Sequence, residues 1–177
     1  MLLTLAACVS CACGKERTLP PVTPGEFARY AEDLSMNSIV LGRNVSFNIL
    51  LPDDYLSSPE RRYPVVYMFH GYGDNRKSWN DQWLRVENKV KELEADGLEP
   101  MIYVFPDGYN SYYCNTYDGS FRYMDMFIEE FVPYIDRTYR TLADRDHRAA
   151  SLMELERILP RDAARAVYLH FHKEDEL

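Results

Sequence analysis

No run of apolar residues in this sequence approaches the ~18 to 20 needed to cross a bilayer, so no membrane-spanning helix follows from it. Positive charge is in deficit: 20 Lys and Arg against 28 Asp and Glu leave a formal charge of -8. That field repels phosphate backbones and anionic lipid head groups, which disfavours nucleic-acid binding. Cysteine is nearly absent from the body of the chain. Of four cysteines, Cys8, Cys11 and Cys13 crowd the first thirteen residues and only Cys114 lies beyond them. Neither a disulfide framework nor a cysteine metal site is expected, and Cys114 reads as a small buried residue. Glycine is scarce as well: there are eight, and Gly119 is the last. No metal and no cofactor is called for by any cluster of side chains.

What is present suffices for one domain. The 177 residues are 46% apolar and 14% aromatic, with 14 tyrosines, each pairing a flat apolar face with a hydroxyl suited to sugar or phenolic ligands. Residues 1–13, MLLTLAACVSCAC, read as a leader. Within it Leu5-Ala6-Ala7-Cys8 resembles the bacterial lipobox, which implies lipidation at Cys8 and an exported lipoprotein, periplasmic or at the cell surface, that meets the membrane only through this anchor. Residues 14–25 contain Pro20, Pro21, Pro24 and Gly25, a composition that favours an extended tether.

Beyond the tether, Asn44 to Leu51 alternates, with Val45, Phe47, Ile49 and Leu51 on one face, the period of a half-buried strand. Pro64 to Phe69 and Met101 to Phe105 are continuous apolar runs of the kind buried on both faces of a parallel sheet. Between them Trp79, Trp83, Val86, Val90 and Leu93 recur at helical spacing as far as Gly97. Tyr123 to Tyr139 repeats that pattern with Phe127, Ile128, Phe131 and Ile135 inward, and Pro133 marks a kink or a fresh helix start. Strand, helix, strand, helix is the alternation of a three-layer α/β domain, a mostly parallel sheet with helices on both faces.

The informative motif is His70-Gly71-Tyr72-Gly73, directly after a buried strand. Acyl transfer passes through a tetrahedral oxyanion, and backbone N–H groups fixed in advance stabilise it. Glycines let the chain turn sharply and bring an amide close to a ligand. Read alone, the tetrapeptide could equally be a structural turn.

Three segments widen the context. Tyr63 to Asp74 (YPVVYMFHGYGD), Ile102 to Tyr113 (IYVFPDGYNSYY) and Phe131 to Arg148 (FVPYIDRTYRTLADRDHR) together resemble the esterase D-like branch of the α/β-hydrolases, which includes feruloyl and acetylxylan esterases. The resemblance implies that residues 26–149 are the N-terminal part of a serine carboxylesterase acting on acyl esters of plant polysaccharides or on small acyl esters. It implies an oxyanion loop of His70, Gly71 and Gly73, with the Tyr72 amide as one donor. It also implies that Tyr109, Tyr112 and Tyr113 line the acyl or sugar side of the cleft.

The nucleophile is missing from this pattern. A G-x-S-x-G elbow is due shortly after Ala149, and the sequence contains none. Residues 150–177 diverge. Ser151-Leu152-Met153-Glu154 reads as a helix cap with its capping partner three positions on, not as an elbow. Ala166 to Phe171 could form a strand, which would put His170 and His172 on one solvent-facing side. This tail resembles the later part of the family, where a strand precedes the loop of the triad aspartate, and the resemblance implies Asp175 nearest that position. His147 reads as structural, at the entrance to a strand. Asp125, Glu129 and Glu130 read as a solvated helix face rather than paired glycosidase carboxylates. The chain as written is therefore expected to be catalytically incomplete. The alternatives are a non-catalytic glycan-binding surface lipoprotein and a non-functional gene fragment.

Overall fold

A computed structural model describes residues 29–83 and 85–152. The leader, the tether, Cys8, His170, His172 and Asp175 lie outside the described residues.

Side-chain alternation organises the sheet. In β2 (Arg43–Leu50), Val45, Phe47 and Ile49 enter one core, while Leu50 enters another on the opposite face. β3 (Val65–Phe69) sends Val65, Tyr67 and Phe69 to the first core and Met68 to the second. β4 (Ile102–Pro106) divides Ile102 and Val104 from Tyr103 and Phe105 in the same way. Strands covered on both sides must be apolar at nearly every position, which is why these runs lack the alternation of an exposed sheet.

Five strands pair in the order β1-β2-β4-β3-β5, where β1 is Tyr30–Ser38 and β5 is Arg148–Leu152. β3 runs parallel to both β4 and β5, whereas β2 is antiparallel to β1 and to β4. The sheet is thus mixed, parallel in its β4-β3-β5 half. β1 has no counterpart in the sequence reading, and its cause is local. Asp33 has φ +56° and the register slips between Ala31 and Leu34, so the bulge breaks the two-residue period that would announce a strand.

Helices cover both faces, completing the three layers. Where one long helix is expected from Trp79 onward, the chain forms a π-helical turn at Trp79–Trp83 and then α1 (Val86–Ala95), separated by Arg85 at φ +43°. Trp79, Val86 and Val90 are buried as expected, but Leu93 is 39% exposed because the short helix turns that position away from the sheet. On the other face, α2 (Tyr123–Met126), a π-helical turn (Phe127–Phe131) and α3 (Val132–Thr138) form one interrupted column. Pro133 sits in the first turn of α3, where its missing N–H costs little, and the wider π turn just before it accommodates the ring. Phe127, Phe131 and Ile135 are buried against Phe47, Tyr67 and Phe69.

The acidic residues of this column are not a solvated face. Glu130 accepts hydrogen bonds from the Ile39 and Val40 N–H groups at 2.9 and 3.1 Å and from the Ser38 hydroxyl, clamping the β1-β2 turn. Asp125 accepts from Asn115 and Arg122, and only Glu129 is plainly exposed. Ser151 differs too: it lies in β5 opposite Met68, an extended position, because pairing with β3 outcompetes the local capping pattern.

Among the described residues no helix is long and apolar enough to cross a membrane.

Candidate active site

β3 and β4 are adjacent and parallel, so the loops that leave their C-terminal ends emerge together. In open α/β sheets that edge is where ligands bind. The loop after β3 carries His70 to Gly73, and the loop after β4 carries Asp107 to Tyr113.

His70 joins the two loops. Its Nδ1 lies 2.8 Å from the carbonyl oxygen of Gly71, which can only accept, so Nδ1 carries the hydrogen. Its Nε2 accepts from the Gly108 N–H at 2.8 Å. Both ring nitrogens are thereby spent by the neutral Nδ1–H tautomer, and the ring is buried. His70 is a clamp, with neither nitrogen left over for proton transfer.

Tyr113 is a second clamp. Its hydroxyl donates to the His70 carbonyl oxygen at 2.8 Å, its ring lies 4.4 Å from that of Phe69, and the residue is buried. Burial pushes the phenol far above its ordinary pKa, which keeps it a donor at any physiological pH. Gly108 is required beneath it, since a Cβ there would meet Tyr113 Cε1 and Cζ at 2.7 Å. Tyr109 is likewise engaged internally: its hydroxyl accepts from the Ser46 N–H at 2.9 Å and the Arg43 guanidinium lies over its ring.

Of the three tyrosines expected along the cleft, only Tyr112 presents its ring to solvent, and it does so with a partner the sequence did not single out as a side chain. Tyr72 and Tyr112 stack with ring centroids 4.8 Å apart and planes 13° from parallel. Tyr109, Asn110, Tyr112 and Tyr113 all have left-handed φ, between +48° and +61°. Such backbone costs on the order of 1 kcal/mol or more per residue and clusters at sites where shape serves binding.

Asp107 anchors the assembly electrostatically. Burial alone would raise its pKa, but the Tyr109 N–H (3.2 Å) and the Arg76 guanidinium (3.0 Å) outweigh that and hold the carboxyl below its ordinary value. Asp107 Oδ1 is 3.7 Å from His70 Nε2, too far for a hydrogen bond. Arg76 also bridges to Asp33 in the β1 bulge. Neither Arg76 nor Asp107 stands out in sequence, where each is one more surface charge.

The Gly73 N–H donates to Asn110 Oδ1 at 2.9 Å and the Asp74 N–H to Gly71 O at 3.1 Å. Among the described residues the Tyr72 N–H has no such partner. β5 pairs with β3 so that Leu152 stands beside Phe69, which brings the end of β5 alongside the start of this loop. Ahead of β5, the Val65 N–H donates to the His147 carbonyl, and Arg148 pairs with Asp136. No group of three metal-ligating side chains occurs among the described residues.

The Esterase family model matches residues 38–151, more than half of the chain. The chain belongs to that esterase family. An esterase of Mycobacterium tuberculosis is 35% identical over 115 residues, covering 63% of this chain and 24% of its relative. The endo-1,4-beta-xylanase/feruloyl esterase of Xylanibacter ruminicola is 29% identical over 144 residues, covering 73% and 20% respectively. A solved ferulic acid esterase superposes with a TM-score of 0.61 at 30% identity, over 66% of this chain and 47% of its own. The ferulic acid esterase of Anaeromyces mucronatus gives 0.55 at 25% identity, over 72% and 51%. The chain thus spans about a quarter of the length of these sequence relatives and about half of the solved structures.

Proposed function

We propose that residues 38–151 form the oxyanion-donor and substrate-facing half of a serine carboxylesterase acting on acyl esters of plant polysaccharides, feruloyl esters foremost, or on small acyl esters. The observation that carries this reading is the Tyr72 N–H at the loop after β3: among the described residues it and the Gly71 N–H have no partner, while those of Gly73 and Asp74 do. A nucleophile following β5 would emerge next to it, since β5 ends beside Phe69, one residue before His70. The attacked carbonyl oxygen, as it gains charge, would take a hydrogen bond from that amide. Loss of one such donor costs about 100- to 1000-fold in kcat.

The 177 residues contain no G-x-S-x-G, and Ser151 lies within β5 rather than in a turn beyond it. Nucleophile, base and acid act as a unit, so this polypeptide by itself should turn over little or no ester. Two measurements test the reading. The chain alone should leave p-nitrophenyl acetate at the buffer rate, with no change in Ser151→Ala. A chimera placing residues 38–149 in the matching segment of the 30%-identical ferulic acid esterase should hydrolyse methyl ferulate and lose about 100-fold or more in kcat on Tyr72→Pro, which removes the N–H. A folded but inactive chimera, or an unaffected Tyr72→Pro, refutes it.

The exposed Tyr72 and Tyr112 rings favour a second reading, a glycan-binding protein without catalysis, which the inactive chimera combined with retained glycan binding would select. In either case Cys8 would anchor an exported lipoprotein, periplasmic or at the cell surface. Incorporation of labelled palmitate, lost in Cys8→Ser, checks that.

A further inference from the structure

The Tyr72–Tyr112 pair is the most exposed aromatic surface at the edge where the two loops emerge. Tyr72 is 58% and Tyr112 40% exposed, yet their rings are stacked against each other, planes 13° from parallel, rather than splayed into solvent. Neither belongs to the two hydrophobic cores. The backbone holds the pair from both sides: the Gly73 N–H donates to Asn110 Oδ1, tying the residue after Tyr72 to the loop of Tyr112, and left-handed φ at Asn110, Tyr112 and Tyr113 sets that loop's course. A loop held in this conformation leaves the outer faces of a stacked pair available to a flat ligand.

We infer that Tyr72 and Tyr112 form a stacking platform for a pyranose ring of a neutral polysaccharide, so that a single residue, Tyr72, offers its amide to the ester and its side chain to the sugar bearing it. This rests on the esterase reading for the role of the amide. The chemistry fits a sugar on three counts. The axial C–H face of a pyranose is apolar and flat, and packs on an aromatic ring whose face is electron-rich. Asn110, exposed in the loop of Tyr112 and bonded through Oδ1 to the residue after Tyr72, carries amide N–H donors for the sugar's hydroxyls. A neutral ligand is indifferent to the chain's net charge of -8, which would repel a polyanion. Tyr109 and Tyr113 belong to the support, because their hydroxyls and rings are already engaged.

The test is calorimetric titration of the 177-residue chain with xylohexaose. Saturable binding is expected, weakened about tenfold in Tyr72→Ala and in Tyr112→Asn. Asparagine tolerates left-handed backbone, so Tyr112→Asn removes the ring and keeps the loop. Tyr72→Phe should bind within about twofold of the original, since the ring face does the stacking. Tyr117→Ala, another exposed ring but unstacked, should not change binding. Saturation-transfer NMR should place the sugar's C–H protons against tyrosine rings. Absence of binding at millimolar xylohexaose, full binding by Tyr72→Ala and Tyr112→Asn at unchanged melting temperature, or competition for the pair by free ferulate in place of xylohexaose each overturns the platform. The chimera separates the two ideas: methyl ferulate hydrolysis without xylohexaose binding sinks the platform alone.

Discussion

The His70 imidazole receives the Gly108 N–H at 2.8 Å, so a side chain at the end of β3 fixes the backbone at the end of β4. Together with the Tyr113 hydroxyl on the His70 carbonyl, this cross-linking makes the two loops one rigid unit.

His70→Ala should therefore strip a buried N–H of its acceptor. The cost is about 1–3 kcal/mol, or a fall of several degrees in Tm for a chain of this size. His70→Gln, whose Oε1 can accept, should recover part of it. Hydrogen exchange at residues 107–113 should quicken in the alanine variant, and an unchanged exchange rate there would dismiss the clamp.

Gly108→Ala drives a methyl group into the Tyr113 ring. Overpacking of this kind costs about 1–3 kcal/mol. Tyr113→Ala makes room, so the double variant should lose less than the two single losses added, a coupling measurable by urea titration. Strict additivity would mean the contact does not govern the site.

Asp107 makes a prediction in pH. Its pKa is lower in the folded chain than the roughly 3.9 of an unfolded aspartate, so its stabilisation is complete above that value and disappears as pH falls through the lower, folded one. Asp33, Asp118, Asp125 and Asp144 are shifted the same way. Unfolding free energy measured between pH 2 and 6 should decline on the acid side, and Asp107→Asn should shallow that decline. An identical acid limb in the variant would count against the pairing with Arg76.

Phe131 packs edge-on against Phe47 at 5.4 Å and is fully buried where the π turn meets α3. Phe131→Ala should cost about 3–5 kcal/mol in chemical denaturation, among the largest losses available to a single change. A loss below about 1 kcal/mol would show that the column is not seated on the sheet as described.

The core strands were legible because burial on both faces leaves an unbroken apolar run, as in Val65–Phe69 and Ile102–Pro106. β1 was not, since the bulge at Asp33 moves the inward positions from Ala31 to Leu34 and Met36 and erases the alternation. The glycine-flanked loop was visible from the motif that follows the apolar run, and the family from the resemblance carried by Tyr63–Asp74, Ile102–Tyr113 and Phe131–Arg148. The division of labour among the tyrosines was not: Tyr109, Tyr112 and Tyr113 are chemically identical in sequence, and only their neighbours decide which ring is buried and which exposed. Ser151 shows the same limit, with a capping pattern overridden by the strand beside it.

The Glu130 carboxylate closes the β1-β2 turn from some 90 positions downstream. During synthesis the turn must therefore wait, its amides solvated, until the column carrying Glu130 has emerged and docked. The first hairpin of the sheet is accordingly among the last parts to become rigid, and refolding should show its amides gaining protection together with those of Phe127–Phe131 rather than before them.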